Sequence, residues 1–199
     1  AARACNLSLI IGSEFLLADG PRVVLLAKNR TGYRNLTRLI TRARRAAAKG
    51  SYRLLSTDIL AAQITGCLGL LPCNPTPTIK TTLKCRYRRL EQNTTWLQQL
   101  MPGRVWISVE QPANGFDYEH LHYLQNISTR TGIPLVAAGN VHMHVRSRQK
   151  LQDTLTAIRL GMTIHEIGHR LSANAERHLR TLPLLGKMYP AKLLRESMN

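Results

Sequence analysis

Four dense apolar runs set the strongest limit on how this chain folds: residues 7–16, 22–28, 104–110 and 133–138. Between them lie stretches whose apolar residues recur at helical spacing. Strands this continuously apolar are buried on both faces, and their alternation with amphipathic helices indicates parallel strands under a helical cover. The expected class is α/β, with mostly parallel strands covered by helices as layers or a barrel.

The first two runs flank Ala18-Asp19-Gly20-Pro21, a turn-forming sequence. Over residues 33–49, Tyr33, Leu36, Ile40, Ala43 and Ala47 define a helical face, with Gly50 just past its end. Ser56-Thr57-Asp58 offers a cap to a short helix through Gln63, and residues 67–71 fit a brief buried strand. Residues 72–78, with three prolines, read as a loop, and 79–100 as a helix. Asp117 is placed to cap a helix carrying Tyr118, Leu121, Leu124 and Ile127 and closed by Gly132. Leu151, Leu155 and Ile158 mark another helix, and one more is expected near Lys192. There is no internal repeat. Ala1-Ala2-Arg3-Ala4-Cys5, without an initiator Met, reads as the end of a helix already under way, so the chain is expected to be a fragment.

A chain of 199 residues suffices for one domain, and a hydrophobic content of 44% excludes disorder throughout. None of the runs has the length of a membrane span, so the expectation is a cytoplasmic protein with no membrane partner. Cys5, Cys67, Cys73 and Cys85 are irregularly spaced and include no C-x-x-C, which fits reduced thiols rather than a disulfide frame.

Charge is the next constraint. Lys and Arg number 28 against 11 Asp and Glu, a net +17 that favours a polyanion such as DNA as partner. Between Asp19 and Asp58 there is no acidic residue, and Arg34, Arg38, Arg42, Arg45 and Lys49 make one basic stripe at helical spacing. Arg146, Arg148 and Lys150 form a second cluster. All eight are candidate DNA contacts, although a basic stripe opposite an apolar one also stands as a solvated face.

Three constellations carry possible chemistry. Glu14 ends an apolar run, where open sheets and α/β barrels place catalytic carboxylates. Asn140, His142 and His144 alternate after the run at 133–138 and so project to one side, a partial ligand set for a metal-dependent phosphoesterase or nuclease together with Glu14. His165-Glu166-Ile167-Gly168-His169 spells H-E-x-x-H, which on a helix holds zinc between two histidines with the Glu as base of a peptidase. Gly161 and Gly168 weaken that helix, and only Glu176 and Glu196 remain downstream as a third ligand. His120 and His122, two apart on a helix, do not face each other and read as surface residues. Asp19, Asp58, Asp117 and Asp153 are too scattered for two-metal phosphoryl transfer, and neither G-x-x-x-x-G-K-[ST] nor G-x-G-x-x-G occurs.

Several segments together resemble one family. They are Leu9-Ile10-Ile11-Gly12-Ser13-Glu14-Phe15, residues 35–45, residues 134–148 with Gly139-Asn140-Val141-His142-Met143-His144, residues 151–160, and Asn174-Ala175-Glu176-Arg177-His178-Leu179-Arg180. These are similar to the N-terminal region of the bacterial error-prone DNA polymerases, relatives of the DNA polymerase III alpha subunit. The likeness is weakest over residues 66–101.

That resemblance implies a PHP (polymerase and histidinol phosphatase) domain, a distorted barrel of about seven βα units whose strand ends hold metals. It implies that residues 1–171 are this domain, lacking its first strands and His-rich motif, and that 172–199 connect it to the polymerase palm. Glu14, Asn140 and His142 match family ligand positions, a degenerate candidate site for Zn, Mn or Mg. Asn140 stands where the family has an anionic Asp, and Gln111 where it tends to have His, so a scaffold role is implied and the fragment alone is expected to be inactive. For the parent the resemblance implies Mg-dependent DNA synthesis past damage, with DNA, other polymerase domains, a sliding clamp and mutagenesis accessory proteins as partners.

Overall fold

The short Leu17–Pro21 connection leaves room only for a hairpin, and in the computed structural model, which describes residues 2–73 and 83–198, it makes one. Strands β1 (Gly12–Leu16) and β2 (Arg22–Ala27) pair antiparallel, closed by Leu17 N–H donating to the Pro21 carbonyl at 3.2 Å. The Asp19 carboxylate at the turn accepts from the Ser56 hydroxyl and N–H at 2.7 and 2.8 Å, and these bonds hold its pKa below the ordinary value.

Asn29 caps helix α1 (Arg30–Arg45), its side chain accepting from Gly32 N–H at 2.9 Å. The first turn lies directly on the backbone before β3. A Cβ on Gly32 would stand 1.9 Å from the Gly66 carbonyl oxygen, so glycine is required there. The helix ends four residues before Lys49, although alanines follow, because the Ala43 carbonyl accepts from Arg53 N–H at 3.0 Å and the chain turns back. Lys49 therefore lies off the helix.

Helix α2 (Ser56–Ala62) leads into β3 (Cys67–Cys73), which pairs antiparallel with β2. The strand runs on through Pro72, beyond the loop boundary expected there; β2 pairing stops at Leu70, so one side of β3 is already open. The rest of that expected loop, and the start of the helix read from residue 79, lie outside the described residues. Helix α3 (Leu83–Leu100) then returns the chain to β4 (Val105–Val109), parallel to β3, and helix α4 (Asp117–Thr131) to β5 (Leu135–Ala137), parallel to β4. The N-cap of α4 is Phe116; Asp117 is its first residue, and its carboxylate accepts from Ala113 N–H at 2.8 Å.

The result is a five-stranded mixed sheet in the order β1-β2-β3-β4-β5. It corrects the expectation of mostly parallel strands, since two of its four pairings are antiparallel, and among the described residues it is open rather than closed into a barrel. The first strand also begins late. Ala27 at the end of β2 reaches only to the Ile11 carbonyl, so among the described residues no strand pairs with residues 7–10, and Leu7, Leu9 and Ile10 are 67–72% exposed.

Register assigns the two faces. Phe15, Val23, Leu25, Leu71, Ile107 and Leu135 share the face on which α1 lays Leu36, Leu39 and Ala43 and α3 lays Leu97 and Met101. Burying each leucine contributes about 1.5–3 kcal/mol. Glu14, Val24, Leu70 and Trp106 are cross-strand neighbours on the other face.

Among the described residues four α-helices follow β5: α5 (Gln149–Leu160), α6 (Ile164–Ile167), α7 (Leu182–Met188) and α8 (Ala191–Glu196). Glu196 of α8 accepts from the Trp106 indole N–H at 2.7 Å, and Tyr189 and Leu193 join the main core.

One histidine departs from expectation. His120 is 1% exposed, whereas His122 is exposed as read. The His120 ring turns inward because the Tyr87 hydroxyl lies 2.8 Å from Nδ1. Burial pushes its pKa down to about 4, opposed by the Cys73 backbone.

Candidate functional site

Three segments meet where β4 and β5 end. Glu110, directly after β4, is 4% exposed. Asn140, beyond β5, is held at φ +42°, a left-handed conformation that asparagine tolerates better than most side chains. His142 follows two residues later. Arg177 arrives from the C-terminal part and is fixed by its backbone. Its carbonyl accepts from the N–H groups of His142 and Met143 at 2.8 and 3.2 Å, and Leu179 N–H donates to the Met143 carbonyl at 3.1 Å.

The side chains then interlock. Arg177 Nη1 donates to Glu110 Oε2 at 2.9 Å, the two side chains being 13% and 5% exposed. Asn140 Nδ2 donates to both Glu110 oxygens at 3.2 Å, and Asn140 Oδ1 lies 3.1 Å from His142 Nε2. Burial, then the Arg177 charge, lowers the His142 pKa, while Glu110 and Glu14 oppose the shift.

Of the residues expected to converge, Asn140 and His142 touch, and Glu14 comes within electrostatic range of His142 while pairing with Arg22 at 3.4 Å. His144 shares the side of His142, since Met143 between them is buried, but it is exposed and, among the described residues, makes no hydrogen bond to the cluster. Sequence reasoning passed over Glu110 and Arg177 as site residues. Glu110 ends an apolar strand just as Glu14 does, which was a usable signal. Arg177 lies 67 residues from Glu110 and carried no local one.

A divalent ion needs several lone pairs aimed at one point. Here both Glu110 oxygens accept from N–H groups, and among the described residues no three His, Cys, Asp or Glu side chains are grouped to hold a metal. The donor set does not fit the Zn, Mn or Mg that the resemblance implies.

Nor does H-E-x-x-H form a zinc site. Helix α6 stops at Ile167, Gly168 has φ +47° and ψ −126°, and His169 falls in the 3-10 turn Gly168–Arg170, so the two histidines do not share a helix. Glu166 caps its own helix instead, accepting from Thr163 N–H and hydroxyl at 3.0 and 2.8 Å, bonds that lower its pKa.

The basic candidates divide into two groups. Arg34, Arg38, Arg42 and Arg45 lie along α1, where an open groove is lined by Thr37, Arg38, Thr41, Arg42, Arg45 and Ala46. Only Arg42 of these four has a carboxylate partner among the described residues, Asp58 at 2.8 Å. Arg146, Arg148 and Lys150 are exposed around the start of α5, but Arg146 is held by Glu176 at 2.6 Å. Glu176 also binds Arg180 at 3.1 Å; burial raises its pKa, yet Arg180 and Arg146 bring it below the ordinary value.

No protein-family model matches the chain. The chain is similar to proteins named error-prone DNA polymerase: those from Methylococcus capsulatus and Pseudomonas fluorescens are 45% and 46% identical over 198 residues, and one from Dechloromonas aromatica is 42% identical over 203. Each alignment takes in 100% of this chain, which spans only 18–19% of the length of those relatives. Among the described residues no helix is long and apolar enough to cross a membrane.

Proposed function

We propose that the chain is the N-terminal PHP-type region of an error-prone, damage-inducible DNA polymerase, serving as a scaffold that contacts DNA through the exposed arginines of α1. The observation that carries this reading is the charge distribution: Arg34, Arg38 and Arg45 project without carboxylate partners among the described residues, on a chain of net +17. The names of its relatives supply the class of enzyme. In the parent, Mg-dependent nucleotide addition past damaged template belongs to palm carboxylates outside these residues; residues 1–171 pack against the polymerase body and 172–199 lead toward it. A sliding clamp and mutagenesis accessory proteins act through the parent, in the cytoplasm. The occluded carboxylate at the strand ends supports a scaffold over a phosphoesterase.

Fluorescence anisotropy with single-stranded and primed DNA tests the contact. Binding should weaken steeply with salt, and each of Arg34→Ala, Arg38→Ala and Arg45→Ala should reduce the log–log salt slope by about 0.7–0.9. Salt-insensitive or absent binding would sink the DNA-contact reading.

A further inference from the structure

We propose that the Arg177 guanidinium is the resident cation of the strand-end pocket, standing in for a divalent ion at Glu110 and clasping the C-terminal segment to β4 and β5. The inference rests on reading this pocket as the counterpart of the PHP metal site, and goes beyond it by naming what took the ion's place. A carboxylate dehydrated as far as Glu110, 4% exposed, must be neutralised or accept strong donors. A metal would take its lone pairs from one side. Arg177 takes one at 2.9 Å with full positive charge, and Asn140, a neutral amide, donates at 3.2 Å to both oxygens where an aspartate would repel Glu110.

The position is secured without a metal. The Arg177 carbonyl binds the backbone N–H groups of His142 and Met143, so the segment carrying the guanidinium is tied to the segment carrying Asn140 and His142. Asn140 and Arg177 act as a pair: one removes a negative charge from the pocket and the other adds a positive one. His142 is left with its ring beside the Asn140 carbonyl.

Metal retention and thermal melting of the full chain test this. After equilibration with Mn²⁺ or Zn²⁺ and gel filtration, the wild type should retain no ion above the level of Glu110→Gln, and its melting temperature should not respond to either ion. Arg177→Met should melt lower than the wild type and regain roughly 5–10 °C at a hundredfold excess of ion over its dissociation constant. Glu110→Gln/Arg177→Met should melt above Arg177→Met and be insensitive to the ion. One ion per wild-type chain, lost in Glu110→Gln, overturns the proposal, as does an Arg177→Met that melts like the wild type or ignores both ions. If Arg177→Met is recovered unfolded, the double variant decides: restored cooperative melting supports the pairing, and a double variant equally unfolded overturns it. DNA anisotropy on the wild type is unaffected by these outcomes, so failure here is distinguishable from failure of the scaffold reading.

Discussion

The two arginine-rich regions hold their charge in opposite ways. Along α1, Arg34, Arg38 and Arg45 have no carboxylate partner among the described residues, and only Arg42 does. Beyond β5, Arg146, Arg177 and Arg180 are all bound to Glu110 or Glu176. A net charge is a sum over both, but a polyanion responds to the charges left uncompensated. The first region is equipped for an outside partner, whereas in the second Arg146, Arg177 and Arg180 hold the chain to itself and Arg148 and Lys150 stay exposed.

Paired arginine mutations give the largest expected contrast. Arg180 is only 3% exposed in its side chain and pairs with Glu176, itself 17% exposed. Arg180→Met removes the buried member of that pair and should cost about 3 kcal/mol, toward the lower end for a broken buried ion pair because Arg146 still reaches Glu176. Arg38→Met on α1 should stay within about 0.5 kcal/mol. Urea unfolding of both variants checks this, and equal effects would erase the distinction between the regions.

The next effect separates the regions by pH. All seven histidines follow residue 119, and His120 is the deeply buried one among them. Its folded pKa, lowered by burial to about 4 from 6.5, means that between those values the unfolded chain takes up a proton that the folded chain does not. Its contribution is complete above the unfolded value and is lost as pH falls through the window, by roughly 3 kcal/mol in all. Stability measured from pH 7 to pH 4.5 should therefore fall in the wild type and flatten in His120→Gln. An unchanged slope in the variant would assign the pH dependence elsewhere.

His120 also marks how far the sequence reaches. Spacing separates it from His122, since residues two apart on a helix do not share a face, and it also puts His120 four and seven residues before the buried Leu124 and Ile127, so its burial was within reach; what no local pattern gives is its partner, the Tyr87 hydroxyl 33 residues away. Most of the longer helices were legible because their apolar spacing is local, yet α7 was not expected, the cap of α4 falls on Phe116 rather than Asp117, and α1 ends early where Arg53 claims the Ala43 carbonyl. The antiparallel β1–β2 pairing was within reach, because so short a connection permits nothing else. The antiparallel β2–β3 pairing was not, for two helices intervene. The candidate site was half visible for the same reason: Glu14, Asn140 and His142 sit beside apolar runs, whereas Arg177 is brought to Glu110 only by the backbone bridge at Met143 and His178.

Asp58 offers the finest test, because it serves stability and charge compensation at once. Its Oδ2 accepts from Leu55 N–H at 2.9 Å at the start of α2, while Oδ1 pairs with Arg42 at 2.8 Å. Asp58→Ala removes both and should cost about 1 kcal/mol, the usual value of a lost cap. The same change releases Arg42, 54% exposed, onto the face of α1 and should steepen the salt slope of DNA binding by about 0.9. Asp58→Asn retains an oxygen for the cap but drops the charge, so it should recover most of the stability while keeping the steeper slope. Stability and DNA binding that move together in both variants would place Arg42 outside the contact and reduce the uncompensated face of α1 to Arg34, Arg38 and Arg45.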